Sequence, residues 1–329
     1  MTLGTSRPSH RTRGRVRRPL TRRPLTRSRR DDLTGRLLVS PTVLVVFLVV
    51  VLPFFAVVAF GFLNVRLVDI PRISLFDLEF TVDNFSTVLS STVFWTSFRT
   101  TAIYATATTL GAIAAGLAVA IALRHPFPGR GLIRALVLIP YVLPIVAATT
   151  IWKTLLNSQY GVVNAFGTEF LGWDGPIAFL STTSQTFLGI PVPVTLVVVV
   201  LFEIWKTAPL AFLFITARLQ VIPGELEEAA SIDGASITQR FRYIVMPQLR
   251  GVVALLILLR FIWSFQSFND IYLLTGGAGG TQVMAIKVYD ELITRANIGT
   301  AAAYGLVMTV ILAVLMAVYV RANRAENIG

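Results

Sequence analysis

Six apolar segments recur along the chain, at about 37–63, 96–123, 131–155, 192–219, 249–273 and 300–321. About 20 apolar residues carry a helix across the hydrocarbon core of a bilayer, and a helix satisfies its own backbone there. The pattern predicts an all-α integral membrane protein with six transmembrane helices in one domain, 36–322. Between the fourth and fifth segments the pattern changes. "GELEEAASIDGASITQRFRYIVMPQL" begins at Gly224 and carries Glu225, Glu227, Glu228, Asp233, Arg240 and Arg242 in a chain otherwise poor in charge. Pro223 and Gly224 end the fourth span, and Glu225–Ile232 is rich in helix formers with acids in the first turn, where the helix dipole favours them. Gly234 is a natural left-handed stop. Ser236 and Gln239 have the spacing of a capping box for a second short helix, expected to run to about Val245 and to be stopped by Pro247. The loop 222–248 therefore reads as two short helices around a glycine elbow, with Ala229 and Ala230 leaving room for a close-approaching surface.

Charge assigns the sides. The formal charge of +12 is concentrated in residues 1–30, which hold eleven arginines and no acid. Too little apolar content accompanies them to fold, and 1–35 reads as a disordered basic tail. No aromatics interleave for base stacking, so nucleic acid is not the expected partner; a topology signal that touches anionic lipid is. The first apolar run exceeds a signal-peptide h-region and lacks a small-residue cleavage site, so it is expected to stay as a span. Arginines mark the connections at "RHPFPGRGLIR", at the loop that carries Arg240 and Arg242 and leads to Arg250, and at the end with Arg321 and Arg324, whereas the alternate loops are nearer neutral or acidic. The positive-inside rule then places both termini, including 323–329, and the loop 222–248 in the cytoplasm.

Several chemistries are excluded by residue type. Cysteine is absent, and His10 and His125 are the only histidines, with no partners at metal-site spacing. An intramembrane enzyme built on a metal or on a nucleophile with a base finds no residues here. No G-x-x-x-x-G-K-[ST] occurs, and "TGGAGGTQ" lacks the lysine, so neither ATP hydrolysis nor a bound cofactor is expected of this chain.

The spacing Glu228-Ala229-Ala230, three residues, Gly234, nine residues, Ile244-Val245-Met246-Pro247 resembles the EAA loop of importer-type ABC permeases, with Met246 for the usual leucine. "GVVNAF", "EIWKTAPLAFLF" and "LLRFIWSFQSFNDIYLLTGGAGGTQ" are similar to the MalF- and UgpA-like subunits of binding-protein-dependent sugar importers, over roughly residues 35–322. The resemblance implies a type I ABC importer permease fold in a bacterial cytoplasmic membrane. It also implies partners: a second, MalG-like permease, a homodimeric ABC ATPase, an extracytoplasmic solute-binding protein and a sugar. It gives Glu228, Ala229, Ala230, Asp233, Gly234, Ile244 and Pro247 the role of coupling the spans to the ATPase. The sugar stays open among a disaccharide such as trehalose or maltose, another oligosaccharide, a polyol and glycerol phosphate.

Polar residues within spans are the candidates for lining a path, because an ionisable group at mid-bilayer is costly, although tryptophan and tyrosine also gather at membrane interfaces. Trp205, Arg260, Trp263, Gln266, Ser267, Asn269 and Asp270 mix aromatic faces with hydrogen-bonding groups, the chemistry of sugar recognition. Glu203 and Lys206 lie three residues apart on one helix face, where they can pair; for these and Arg260 a structural ion pair between helices and a substrate contact are both open readings. Pro140 and Pro144 in "LIPYVLP" free backbone groups, which fits either a path lining or a plain kink. The alternative transport class, an ion-coupled secondary transporter, would need internal repeats and mid-membrane acids, for which Glu203 is the one strong candidate.

Overall fold

A computed structural model of the chain describes residues 29–69, 79–187 and 190–326. Most of the basic tail, with His10, and the last three residues lie outside them. The chain divides into two units, up to Phe54 and from Phe55. The first holds α1 (Arg29–Val46) and a π-turn at Phe47–Val51, and α2 (Leu52–Gly61) follows. The stretch Leu37–Gly61 is long and apolar enough to span a membrane. Helix is described from Arg29, inside the stretch expected to be a disordered tail.

From Phe55 onward the chain is helical apart from one hairpin. It runs through α3 (Asp83–Ser90), α4 (Thr92–Ala122), α5 (Arg130–Val142), α6 (Ile145–Leu155) and α7 (Val162–Phe170). The antiparallel pair β1 (Gln185–Phe187) and β2 (Ile190–Val192) follows, with Gln185 opposite Val192. Next come α8 (Val194–Leu219), α9 (Gly224–Ile232), α10 (Ile237–Arg240), α11 (Met246–Phe265), α12 (Asn269–Thr275), α13 (Met284–Tyr289) and α14 (Ile298–Glu326).

Among the described residues five helices are long and apolar enough to cross a membrane, and a bent pair makes up to a sixth. That pair, α5 and α6, corrects the expectation of one continuous span over 131–155: its axes meet at 98°. Leu143 takes an extended conformation, φ −63° and ψ 134°, as a residue before proline is driven to do, and α6 restarts after Pro144. A second correction concerns 249–273. The fifth span ends at Phe265 and the chain opens at 266–268 before α12, so the polar run "QSFND" interrupts the helix. The last helix continues to Glu326, beyond the expected boundary at 322.

Pro247 does not stop the second short helix of the loop. α10 passes through a π-turn at Phe241–Val245, where the Met246 N–H donates to the Phe241 carbonyl, and continues as α11. Pro247 falls in the first turn of α11, a position that tolerates a missing N–H. Ile237–Phe265 is consequently one rod.

The packing centre is α4 against α8, with α11 alongside. Ala120, Leu123, Ala211, Phe212, Ile215, Leu219 and Leu249 are buried in a cluster at one end of these helices. Gly116 permits the contact: a Cβ there would lie 2.6 Å from the Ala211 Cβ and 2.7 Å from the Phe212 nitrogen. Small residues let transmembrane backbones approach this closely. Gly116→Val is expected to separate α4 from α8 and cost roughly 1–3 kcal/mol, seen as a lower unfolding midpoint in detergent with helix content retained.

Candidate functional site

Two features carry the sequence-predicted residues: a helix elbow at one end of the bundle and a cavity between α8 and the α11–α12 break.

The elbow is α9, Gly234 and α10. α9 has Glu225 and Glu227 in its first turn and ends at Asp233. Gly234 holds φ +82°, the left-handed conformation expected of it. Ser236 accepts from the Gln239 N–H at 3.3 Å while the Gln239 side chain accepts from the Ser236 N–H at 2.7 Å, a closed capping box. Glu228, Ala229 and Asp233 are exposed, Ala230 and Ile244 are half-buried, and Pro247 is exposed on the continuing rod. Ile232 and Ile237 flank the elbow at 87% and 78% exposure, an apolar border beside the acids.

The elbow is tied to the bundle by a contact the sequence reading did not foresee. Arg124, just past α4, pairs with Glu227 at 2.5 Å. Arg130 and Arg134 donate to the Leu123 carbonyl and Arg130 also to that of Arg124, closing the C-terminal end of α4. Arg218 donates to the Gln248 carbonyl at 3.0 Å, joining α8 to the start of α11. The signal in the sequence for this pair is that the positive-inside rule puts "RHPFPGR" and the loop 222–248 on the same side. Arg124→Ala is expected to loosen α9 without unfolding the bundle, since a partly exposed pair contributes only about 0–1 kcal/mol. Limited proteolysis within 222–236 should accelerate while the unfolding midpoint stays within a few degrees.

The cavity, about 360 Å³, is lined by Arg260, Trp263, Gln266, Ser267, Asn269 and Asp270 together with Glu203 and Lys206. Tyr141, Thr207 and Phe268 complete it. Tyr141 lies in the "LIPYVLP" stretch between the two prolines, and the bend at Pro144 follows it. Trp205 is placed differently from the other path candidates. It is half-buried between Trp152 and Phe202, with ring centroids 5.8 and 6.1 Å away, and does not line the cavity.

Glu203 and Lys206 do not pair with each other. Both face the neighbouring helices and each meets an opposite charge there. Arg260 donates to Glu203 at 2.9 Å, with both side chains at least 94% buried, and Lys206 donates to Asp270. The two pairs stitch α8 to α11 and to α12 and leave the lining with no net charge. Arg260 also donates to Ser264 at 3.3 Å. Glu203 Oε2 and Arg260 Nε remain buried without a hydrogen-bond partner. An unpaired buried polar atom is expensive, and each one in a native structure calls for a cause. Ser267 accepts from the buried Tyr104 hydroxyl at 3.4 Å, anchoring the opened chain at 266–268 to α4.

The elbow and cavity are two ends of one element. The rod Ile237–Phe265 begins at the elbow and ends with Arg260 and Trp263 in the cavity wall. At 1.5 Å per residue it is about 43 Å long.

A model of the family described as "Binding-protein-dependent transport system inner membrane component" matches residues 107–326. The chain is 34% identical over 249 residues to the inner membrane ABC transporter permease protein YcjO of Escherichia coli, covering 75% of this chain and 80% of that one. It is 32% identical to the trehalose/maltose transport system permease protein MalF of Thermococcus litoralis, covering 79% and 82%. A bacterial alginate ABC transporter, solved in complex with an alginate pentasaccharide-bound periplasmic protein, has a chain that superimposes with a TM-score of 0.73 at 21% identity, covering 91% of this chain and 96% of that one. Matched across the residues that build the α4–α8–α11 bundle, the elbow and the cavity, the chain belongs to the family of inner-membrane permease components of binding-protein-dependent ABC transporters.

Proposed function

We propose that this chain is one permease subunit of a heteromeric, ATP-driven importer that carries a sugar across the cytoplasmic membrane by alternating access. The observation that carries this reading is the continuous rod from the exposed acidic elbow to the cavity wall. In this scheme the elbow docks on a separate homodimeric ATPase, which holds the ATP and Mg, with Glu228 meeting a basic surface and Ile232 and Ile237 an apolar one. Closure of the ATPase displaces the elbow. Because α10 and α11 do not hinge at Pro247, the displacement reaches Arg260 and Trp263 as a rigid-body movement, and the two ion pairs carry α8 and α12 with it. The elbow end and both termini are cytoplasmic. A second permease completes the path, and a solute-binding protein delivers the sugar from the other side.

The cavity chemistry supports a sugar as cargo. Gln266, Ser267 and Asn269 offer donors and acceptors, Trp263 and Phe268 offer faces, and the charges cancel in pairs. Relatives named for trehalose and maltose agree. The ion-coupled alternative asks Glu203 to exchange a proton or cation, whereas Arg260 already pairs with its Oε1 and balances its charge.

The test is co-purification of the tagged chain from its native membrane beside Glu228→Lys, a charge reversal at an exposed site. The wild type should bring down an ATPase and a second permease, and the variant should keep the permease while losing the ATPase. A wild type that comes down with neither overturns the reading.

A further inference from the structure

At the end of the bundle opposite the elbow, a second pocket of about 430 Å³ opens, sharing no residue with the cavity. Its position follows from α4. Ser91, the N-cap of α4, and Val93 in its first turn line the pocket, while the other end of α4 leads to Arg124 and its contact with α9. The 31 residues of α4 span about 46 Å.

The pocket has a rigid frame. Leu67 N–H donates to the Ala296 carbonyl at 2.7 Å and Gly299 N–H to that of Val65 at 3.1 Å, with Arg66 and Asn297 bridged between them. Ala296 holds φ +53°, the one non-glycine residue with positive φ among the described residues. Such strain persists only where the surroundings over-determine it.

Three cations and one carboxylate line this pocket. Lys287 and Arg295 both reach the same Oε1 of Glu291, at 3.0 and 3.1 Å, and Arg66 is the third cation of the lining. Lys287 and Glu291 are buried, whereas Arg295 is 64% exposed. Asp69, outside the lining, accepts from the backbone N–H of Arg66. Neutralising Glu291 needs one cation, so the pair with Lys287 accounts for the buried charge and leaves two guanidinium groups in excess. Ser91, Thr300 and Tyr304 add hydroxyls. Guanidinium forks, a fixed ammonium and hydroxyl donors form the donor set that holds a phosphate.

The level of the pocket also matters. α2 ends at Gly61, α4 starts at Thr92 and α14 at Ile298, so it sits where apolar segments give way to polar ones. The half-exposed Trp95, its indole N–H bonded to the Leu89 carbonyl, lies one turn into α4, as a tryptophan at a membrane surface does. We propose that this pocket binds a phosphate group at the membrane surface, either the headgroup phosphate of an anionic phospholipid or free phosphate.

The experiment uses the purified complex in detergent, with phosphatidylglycerol, phosphatidylcholine or inorganic phosphate titrated against the thermal unfolding midpoint. Phosphatidylglycerol or inorganic phosphate should raise the wild-type midpoint where phosphatidylcholine does not, and Arg66→Gln/Arg295→Gln should weaken the response about tenfold. A response to phosphatidylglycerol alone assigns a lipid; a response to inorganic phosphate assigns the free ion. If the double variant lacks a cooperative transition, Arg295→Gln, at a largely exposed position, is read by the same criteria. Midpoints unmoved by either probe, or moved equally in wild type and variant, overturn the proposal.

Discussion

Arg260→Met is expected to destabilise the bundle by roughly 3–5 kcal/mol, because it strands Glu203 as an uncompensated buried charge. The side chains of this pair are 4% and 6% exposed, so the carboxylate left behind stands where its charge is poorly screened. The double variant Glu203→Leu/Arg260→Met removes both charges and should recover most of the stability, since apolar groups of similar volume replace a buried pair at little cost. Transport separates the two roles. If the pair only held α8 to α11, the double variant would transport as it folds. With Glu203 and Arg260 in the cavity wall, uptake in reconstituted vesicles should stay strongly impaired even where the unfolding midpoint has recovered.

Gly234→Val carries the second large effect. At φ +82° a β-branched side chain is strained, by about 1–2 kcal/mol or more. No atom crowds the position, so the strain acts on backbone direction rather than packing. The elbow should re-aim α9 relative to α10 while the spans stay intact. Uptake is expected to fall about tenfold or more with an unchanged thermal midpoint. Gly234→Asn, which tolerates the left-handed conformation, should retain most of it. An equal loss in both variants would show that side-chain bulk, not conformation, is what the elbow cannot accept.

These expectations rest on features of unequal legibility. The elbow was readable because local rules decide it: acids in a first turn, a glycine stop and a capping box each act within four residues. Pro247 misled because proline stops a helix only when the lost hydrogen bond has no local remedy, and the π-turn at Phe241–Val245 supplies one. The same local chemistry breaks α5 from α6 at Pro144, where no such turn intervenes and the residue before proline goes extended. Glu203 and Lys206 show the opposite limit. Their spacing placed them on one face, but the choice of partner was made by Arg260 and Asp270, 57 and 64 residues away in sequence. Helix-pair packing alone brings those residues near. Trp205 belongs to the same class: an aromatic in a polar neighbourhood reads as a sugar platform, and only the folded chain sets it beside Trp152 and Phe202, away from the cavity lining. Arg124 and Glu227 were legible as charges but not as a pair, because the contact joins two connections of separate helix hairpins.

Under the proposed function an ATPase grips this chain at the elbow. The chain has no cysteine, so a single Ala229→Cys on the exposed face of α9 gives one site for a short thiol cross-linker in the native membrane. The account predicts a cross-link to an ABC ATPase subunit that is lost in Ala229→Cys/Glu228→Lys. Cysteine at position 229 that forms no protein cross-link, while the complex remains active in ATP-driven uptake, would contradict it.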